Sequence, residues 1–112
     1  MAKVLIAEPS ADVRALLERS IRRLGHDPVE LDRNGGNDQD AVDVLLLEPA
    51  FNGGLDLARS MRATQPDLAI VICSIFPPSA ELQELAPIAH VLKPFQRDAL
   101  EEALAAAVTA AA

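Results

Sequence analysis

Three short apolar runs, each stopped by a polar side chain, constrain the fold of this chain more than anything else in its sequence. Val4-Leu5-Ile6-Ala7 ends at Glu8-Pro9, Val44-Leu45-Leu46-Leu47 ends at Glu48-Pro49, and the run from Leu68 to Cys73 ends at Ser74. Runs this short and this continuously apolar read as strands buried on both faces. A brief further run, His90-Val91-Leu92, stops at Lys93, and Val29 and Leu31 alternate with polar neighbours as in a more exposed strand. That makes five expected strands.

The segments between the runs carry helical spacing. After Ser10, a good N-cap, Val13, Leu16, Leu17, Ile21 and Leu24 fall on one helical face, and Gly25 stands where a helix is expected to stop. Gly53-Gly54 precedes a short amphipathic stretch that turns Leu55, Leu57, Ala58 and Met61 inward. From about Arg97 an alanine-rich helix lines up Leu100, Leu104 and Val108, with Ala99, Ala103 and Ala107 beside them. Its last alanines are expected to fray. Two connections leave little room. The turn cluster Asn34-Gly35-Gly36-Asn37 lies close to the run beginning at Val42, which predicts a short or absent second helix. Pro77-Pro78 blocks helix at its own position, which predicts a reduced fourth helix between Pro78 and Pro87.

Strands alternating with helices imply parallel pairing through right-handed crossovers. The expected fold is an α/β doubly wound five-stranded parallel sheet forming one domain over residues 1–112, with its site at the carboxyl ends of the strands. The chain has no Trp or Tyr and three Phe, so its core must be aliphatic. Cys73 is the single cysteine and lies in an apolar run, which makes it a buried thiol with no disulfide partner. A net charge of -7 argues against a nucleic-acid reader, whose affinity rests on Lys and Arg meeting phosphates. The apolar stretch after Met1-Ala2-Lys3 is too short for a signal-peptide core or a membrane span, so a cytoplasmic location is expected.

The residues that stop the strands are the candidate site. Glu8, Glu48, Ser74 and Lys93 are far apart in sequence, yet a parallel sheet brings such ends to one edge. Each alone is an ordinary strand-terminating polar residue; the four in this order form a pattern. At this point the chain resembles the receiver domains of bacterial response regulators, and so a flavodoxin-like receiver fold. His90-Val91-Leu92-Lys93-Pro94-Phe95 is similar to the family's fifth strand and its Lys-Pro-Phe. Ile70-Val71-Ile72-Cys73-Ser74 is similar to the fourth strand with its terminal hydroxyl, and Val42-Asp43-Val44-Leu45-Leu46-Leu47-Glu48 to the third, which normally ends in the phosphoaccepting Asp.

The departures from that pattern decide what the resemblance implies. The family's acidic pair after strand one is Glu8-Pro9 here, so one direct metal ligand is replaced by Pro9. The phosphoacceptor position holds Glu48, one methylene longer, the usual Met-Pro after it is absent, and the aromatic switch position is His90. Mg²⁺ demands near-octahedral oxygens at about 2.0–2.1 Å. Glu8 and Glu48 are therefore weak candidate ligands, any Mg²⁺ binding should be feeble, and no resident cofactor or catalytic residue is expected. Glu48 could meet Lys93 as a mimic of the phosphorylated state, or the two could simply satisfy each other's partly buried charges. His90 could sense pH, although a half-buried structural role is the plainer reading. His26 reads as a solvated loop residue.

The resemblance thus implies a degenerate pseudo-receiver, not an enzyme, of a two-component or phosphorelay system. It would act by protein–protein contact with a histidine kinase, a phosphotransfer protein or another receiver, and a homodimer is possible. An adaptor without an output domain is the expectation. The alternatives are a residual phosphoacceptor using Glu48 and a small-ligand-binding flavodoxin-like domain. The latter has no G-x-G-x-x-G or P-loop after the first strand to support it.

Overall fold

A computed structural model describes residues 1–30 and 42–111. Its strands are β1 (Lys3–Ala7), β2 (Asp27–Glu30), β3 (Val44–Leu47), β4 (Ala69–Ser74) and β5 (Ala89–Leu92). Its helices are α1 (Ala11–Arg23), α2 (Gly54–Thr64), α3 (Ala80–Gln83) and α4 (Arg97–Ala111). All the strand pairs are parallel and the sheet order is β2-β1-β3-β4-β5. The expected doubly wound α/β sheet is therefore the fold. Leu31 and the second-helix region between Gly36 and Val42 lie outside the described residues.

Alternation along each strand divides the core in two. Val4, Ile6, Val44, Leu46 and Val71 point to one face, where Leu17 and Ile21 of α1 and Leu100 and Leu104 of α4 cover them. Leu5, Leu45, Leu47, Ile70 and Ile72 point to the other, against Ala58 and Met61 of α2 and Leu82 of α3. Side chains at successive positions of a strand face opposite ways, so a run that is apolar at every position needs a cover on both sides.

Helix α1 begins and ends as its sequence dictates. The Ser10 hydroxyl accepts from the Val13 N–H at 3.4 Å. At the other end Gly25 takes φ 87°, a left-handed conformation costly for any side chain. There the Gly25 N–H donates to Arg22 O and the His26 N–H to Ile21 O, a Schellman stop. The inward set of this helix is smaller than its spacing predicts. Leu17 and Ile21 are buried, whereas Leu16 is 43% exposed. An apolar face read from a 3.6-residue period is wider than the strip that two neighbouring layers can cover. Likewise on α4, Ala103 and Ala107 are buried while Ala99 is exposed. That helix extends to Ala111.

The reduced fourth helix is present as expected: α3 has four residues, capped by Ser79, whose hydroxyl accepts from Leu82 N–H at 3.3 Å. Arg62 of α2 fastens the neighbouring turns. Its guanidinium donates to the carbonyls of Pro66, Leu68 and Leu85, joining the end of α2, the approach to β4 and the exit from α3.

Candidate functional site

The carboxyl ends of the central strands converge through the sheet's own ladder. The Glu48 N–H donates to Ala7 O at 2.9 Å, which sets Glu48 beside Glu8, and the Lys93 N–H donates to Ser74 O at 2.8 Å. The side chains of Glu8, Glu48 and Ser74 are buried there, at 2%, 8% and 2% exposure. A buried charge needs a partner, and Lys93 lies within reach of both carboxylates.

Lys93 does not divide itself evenly. Its Nζ lies 2.6 Å from Glu8 Oε1 and 3.7 Å from Glu48 Oε1. Glu8 is well satisfied, since its Oε2 also accepts from the Ser10 N–H at 3.1 Å. Arg14, one turn into α1, donates to the Glu8 carbonyl at 3.3 Å. Glu48 is left with a buried Oε2 that has no hydrogen-bond partner among the described residues. Burial pushes the Glu48 carboxyl above its ordinary value and the like charge of Glu8 adds to this, while Lys93 and the Ala50 amide pull the other way. For Lys93, burial works against the charged form, but the hydrogen bond and charge of Glu8, with the charge of Glu48, outweigh it and raise its pKa. Two carboxylates and one ammonium in a desolvated site leave one carboxylate in excess, and its proton is the cheapest remedy. Beneath them the Cys73 thiol is buried as expected, and burial pushes it up to about 11.

Ser74 and His90 face a different task from Glu48. The Ser74 hydroxyl accepts from the Phe76 N–H at 3.0 Å, and the Phe76 carbonyl accepts from His90 Nε2 at 2.9 Å. A carbonyl only accepts, so that ring nitrogen carries the proton. The Phe76 peptide thus ties the two residues together and fixes the loop after β4. His90 is half-buried as the plainer reading holds. His26 differs from its expected role: it is partly buried and its Nδ1 accepts from the Ala2 N–H at 3.1 Å, pinning the chain just before β1.

The structure therefore brings Glu8, Glu48 and Lys93 into contact and sets Ser74 beside them on the adjoining strand. Sequence reasoning missed Arg14 and the Phe76 peptide. Arg14 follows Ser10 at helical spacing, a detectable signal, but a backbone carbonyl carries none. Among the described residues no group of three or more His, Cys, Asp or Glu side chains is placed to hold a metal. Nor is any helix among them long and apolar enough to cross a membrane.

No protein-family model and no curated protein matches the sequence. Solved structures do match. NtrX from Brucella abortus superposes with a TM-score of 0.84 at 21% identity over 98% of this chain, which spans 27% of the NtrX chain. The BeF3-activated receiver domain of DrrB superposes with a TM-score of 0.80 at 16% identity, over 97% of this chain and 98% of that one. A response regulator from Thermotoga maritima gives 0.76 at 19% identity, over 97% and 98%. At such identities the likeness is one of architecture, and it agrees with the strand order and the helix layers: this chain has the flavodoxin-like fold of response-regulator receiver domains.

Proposed function

We propose that this chain is a receiver-like signalling domain that acts through protein–protein contact without being phosphorylated. The observation that carries the reading is the pairing of Lys93 with Glu8 at 2.6 Å, which leaves Glu48 at 3.7 Å and incompletely bonded. A receiver transfers a phosphoryl group to its own carboxylate, with a divalent ion and a lysine offsetting the charge. Here the lysine is committed to the one acid left after β1, and Pro9 stands where a second acid would hold the ion. A carboxylate misplaced by about 1 Å can cost about 100-fold in such a reaction. The same pairing favours the charge-satisfying role of Glu48 over phosphoryl mimicry, because a mimic would have to hold Lys93 itself.

Mg²⁺ does not fit this donor set well. Glu8 Oε1 is taken by Lys93 and Oε2 by the Ser10 amide. Of the four carboxylate oxygens only Glu48 Oε2 is without a partner among the described residues, and one free oxygen falls far short of an octahedral set. The domain is accordingly not an enzyme in this reading. Its partners are a histidine kinase, a phosphotransfer protein or another receiver in the cytoplasm, met through α1 and the strand ends or through the side of β5 and α4.

The test is the mass gain of one phosphoryl group after treatment with acetyl phosphate and Mg²⁺. The unaltered chain is expected to show none. Glu48→Asp alone and Pro9→Asp alone are also expected to fail, because each leaves the other defect of one cooperative site in place. The double variant has the better chance of labelling. Robust labelling of the unaltered chain would overturn this reading in favour of a phosphoacceptor at Glu48.

A further inference from the structure

The turn between β3 and α2 carries the dipeptide Asn52-Gly53, and both residues are exposed. The turn is fastened on either side of them. The Phe51 N–H donates to Glu48 O at 2.9 Å and the Gly54 N–H to Phe51 O at 2.8 Å. Between these bonds the Asn52 side chain and the Gly53 N–H have no hydrogen-bond partner among the described residues. Gly53 takes φ 79°, and a Cβ added there would meet nothing within 4 Å, so this residue stands clear of its neighbours. It is also the N-cap of α2, and it has no side chain with which to cap that helix. A peptide nitrogen attacks the preceding asparagine amide most readily when it is not held in a hydrogen bond, when no side chain screens it, and when water reaches both groups. Asn52-Gly53 meets all these conditions.

We propose that Asn52 is a site of spontaneous modification in the folded chain, its amide passing through a cyclic imide to aspartate and isoaspartate. Hydroxide takes the proton of the Gly53 N–H, and that nitrogen forms a bond to Asn52 Cγ. The Cγ–Nδ2 bond breaks, and Nδ2 leaves as ammonia with a proton from water. Water then adds to one carbonyl of the imide, and the C–N bond at that carbonyl breaks. Opening at Cγ leaves aspartate in an unaltered main chain. Opening at the main-chain carbonyl routes the backbone through the side chain as isoaspartate, with an added methylene. The two products act oppositely on α2. The first turn of a helix presents N–H groups that favour a negative charge, so aspartate at position 52 supports the start of α2. Isoaspartate displaces Gly53 from its left-handed cap and loosens that start. Either product adds a negative charge to the turn that follows Glu48. The proposal is independent of whether Glu48 accepts a phosphoryl group.

Incubation of the full chain in water enriched in heavy oxygen, at neutral and at mildly alkaline pH, tests it. Proteolysis and fragment mass spectrometry then read each asparagine separately. Position 52 is expected to exchange its amide NH2 for a hydroxyl carrying solvent oxygen, faster at the higher pH. The rate in native buffer should lie within about tenfold of the rate in urea, because a turn without bonds needs little opening. Asn34-Gly35 is the same dipeptide outside the described residues, and the same map reads it apart from position 52. Asn52→Gln keeps an amide but must close a larger ring, and should leave position 52 unmodified. Asn52→Asp reproduces the aspartate product and is expected to unfold thermally no earlier than the parent. An amide at position 52 that persists in the folded chain, whatever happens in urea or at Asn34, would overturn the proposal. An earlier midpoint for Asn52→Asp would overturn the effect assigned to α2. None of these outcomes bears on the phosphoryl-labelling test, so the two readings stand or fall separately.

Discussion

Lys93 serves two carboxylates and fully satisfies one of them, and the consequences differ for each partner. Removing the ammonium by Lys93→Met leaves Glu8 buried without its counter-charge, which is expected to cost about 3 kcal/mol or more in urea unfolding at neutral pH. Glu48→Gln acts the other way. The unfolded chain releases the Glu48 proton near 4.5 and the folded chain at a higher pH, so the folded state holds the extra proton between the two. Stability from this group is therefore present at low pH and lost as the pH rises through that interval. Glutamine keeps the shape and cannot ionise. The stability of Glu48→Gln relative to the parent is expected to rise as the pH climbs from about 4.5 toward neutrality, read by urea midpoints at a series of pH values. A constant difference across that range would show that Glu48 stays ionised.

Among the elements, the short helix α3 depends most on help from outside. One turn cannot sustain itself in water, and its exit is held by Arg62, whose guanidinium reaches three carbonyls. Arg62→Met is expected to destabilise the protein by about 2–3 kcal/mol, and Arg62→Lys to recover only part of this because an ammonium lacks the planar fork. Hydrogen exchange should rise first in α3 and at the Leu85 turn. Helix α2 presents the opposite case, in which a rule of propensity fails. Gly54→Ala would ordinarily strengthen a helix by about 1 kcal/mol. Here an added Cβ would come within 2.9 Å of Leu47 Cδ1 and 3.3 Å of Phe51 Cβ. Leu47 is fully buried, and overpacking a buried site costs about 1–3 kcal/mol. A net loss of stability of about 1 kcal/mol is expected in chemical denaturation.

For the whole molecule the sheet is a partition between two cores that share a backbone and few side-chain contacts. Ile21 belongs to the side covered by α1 and α4, and Ile70 to the side covered by α2 and α3. Ile21→Val and Ile70→Val should each cost about 0.5–1.5 kcal/mol. The double variant should match their sum within about 0.5 kcal/mol, as for sites without shared partners. Far-UV circular dichroism is the suitable probe, since the chain has no Trp or Tyr. A larger departure from the sum would show that the two cores communicate through the strands.

The sequence by itself determined the strands, their parallel arrangement and the four residues at their carboxyl ends. These follow from local signals: continuous apolar runs, their polar stops, and the caps Ser10 and Gly25. It also bounded α3, because Pro77-Pro78 and the 19-residue spacing from Ser74 to Lys93 leave no room for more. The tertiary structure decided which carboxylate holds Lys93: both candidates are glutamates, and a difference of about an ångström in their distance from the ammonium separates them in a desolvated site. It also decided that Leu16 faces outward and that His26 is tied to Ala2, just before the first strand. Both depend on how much of a helix or a turn the neighbouring layer covers, and no local pattern records that. The link between Ser74 and His90 runs through a peptide group that every residue possesses, so only the folded backbone could reveal it.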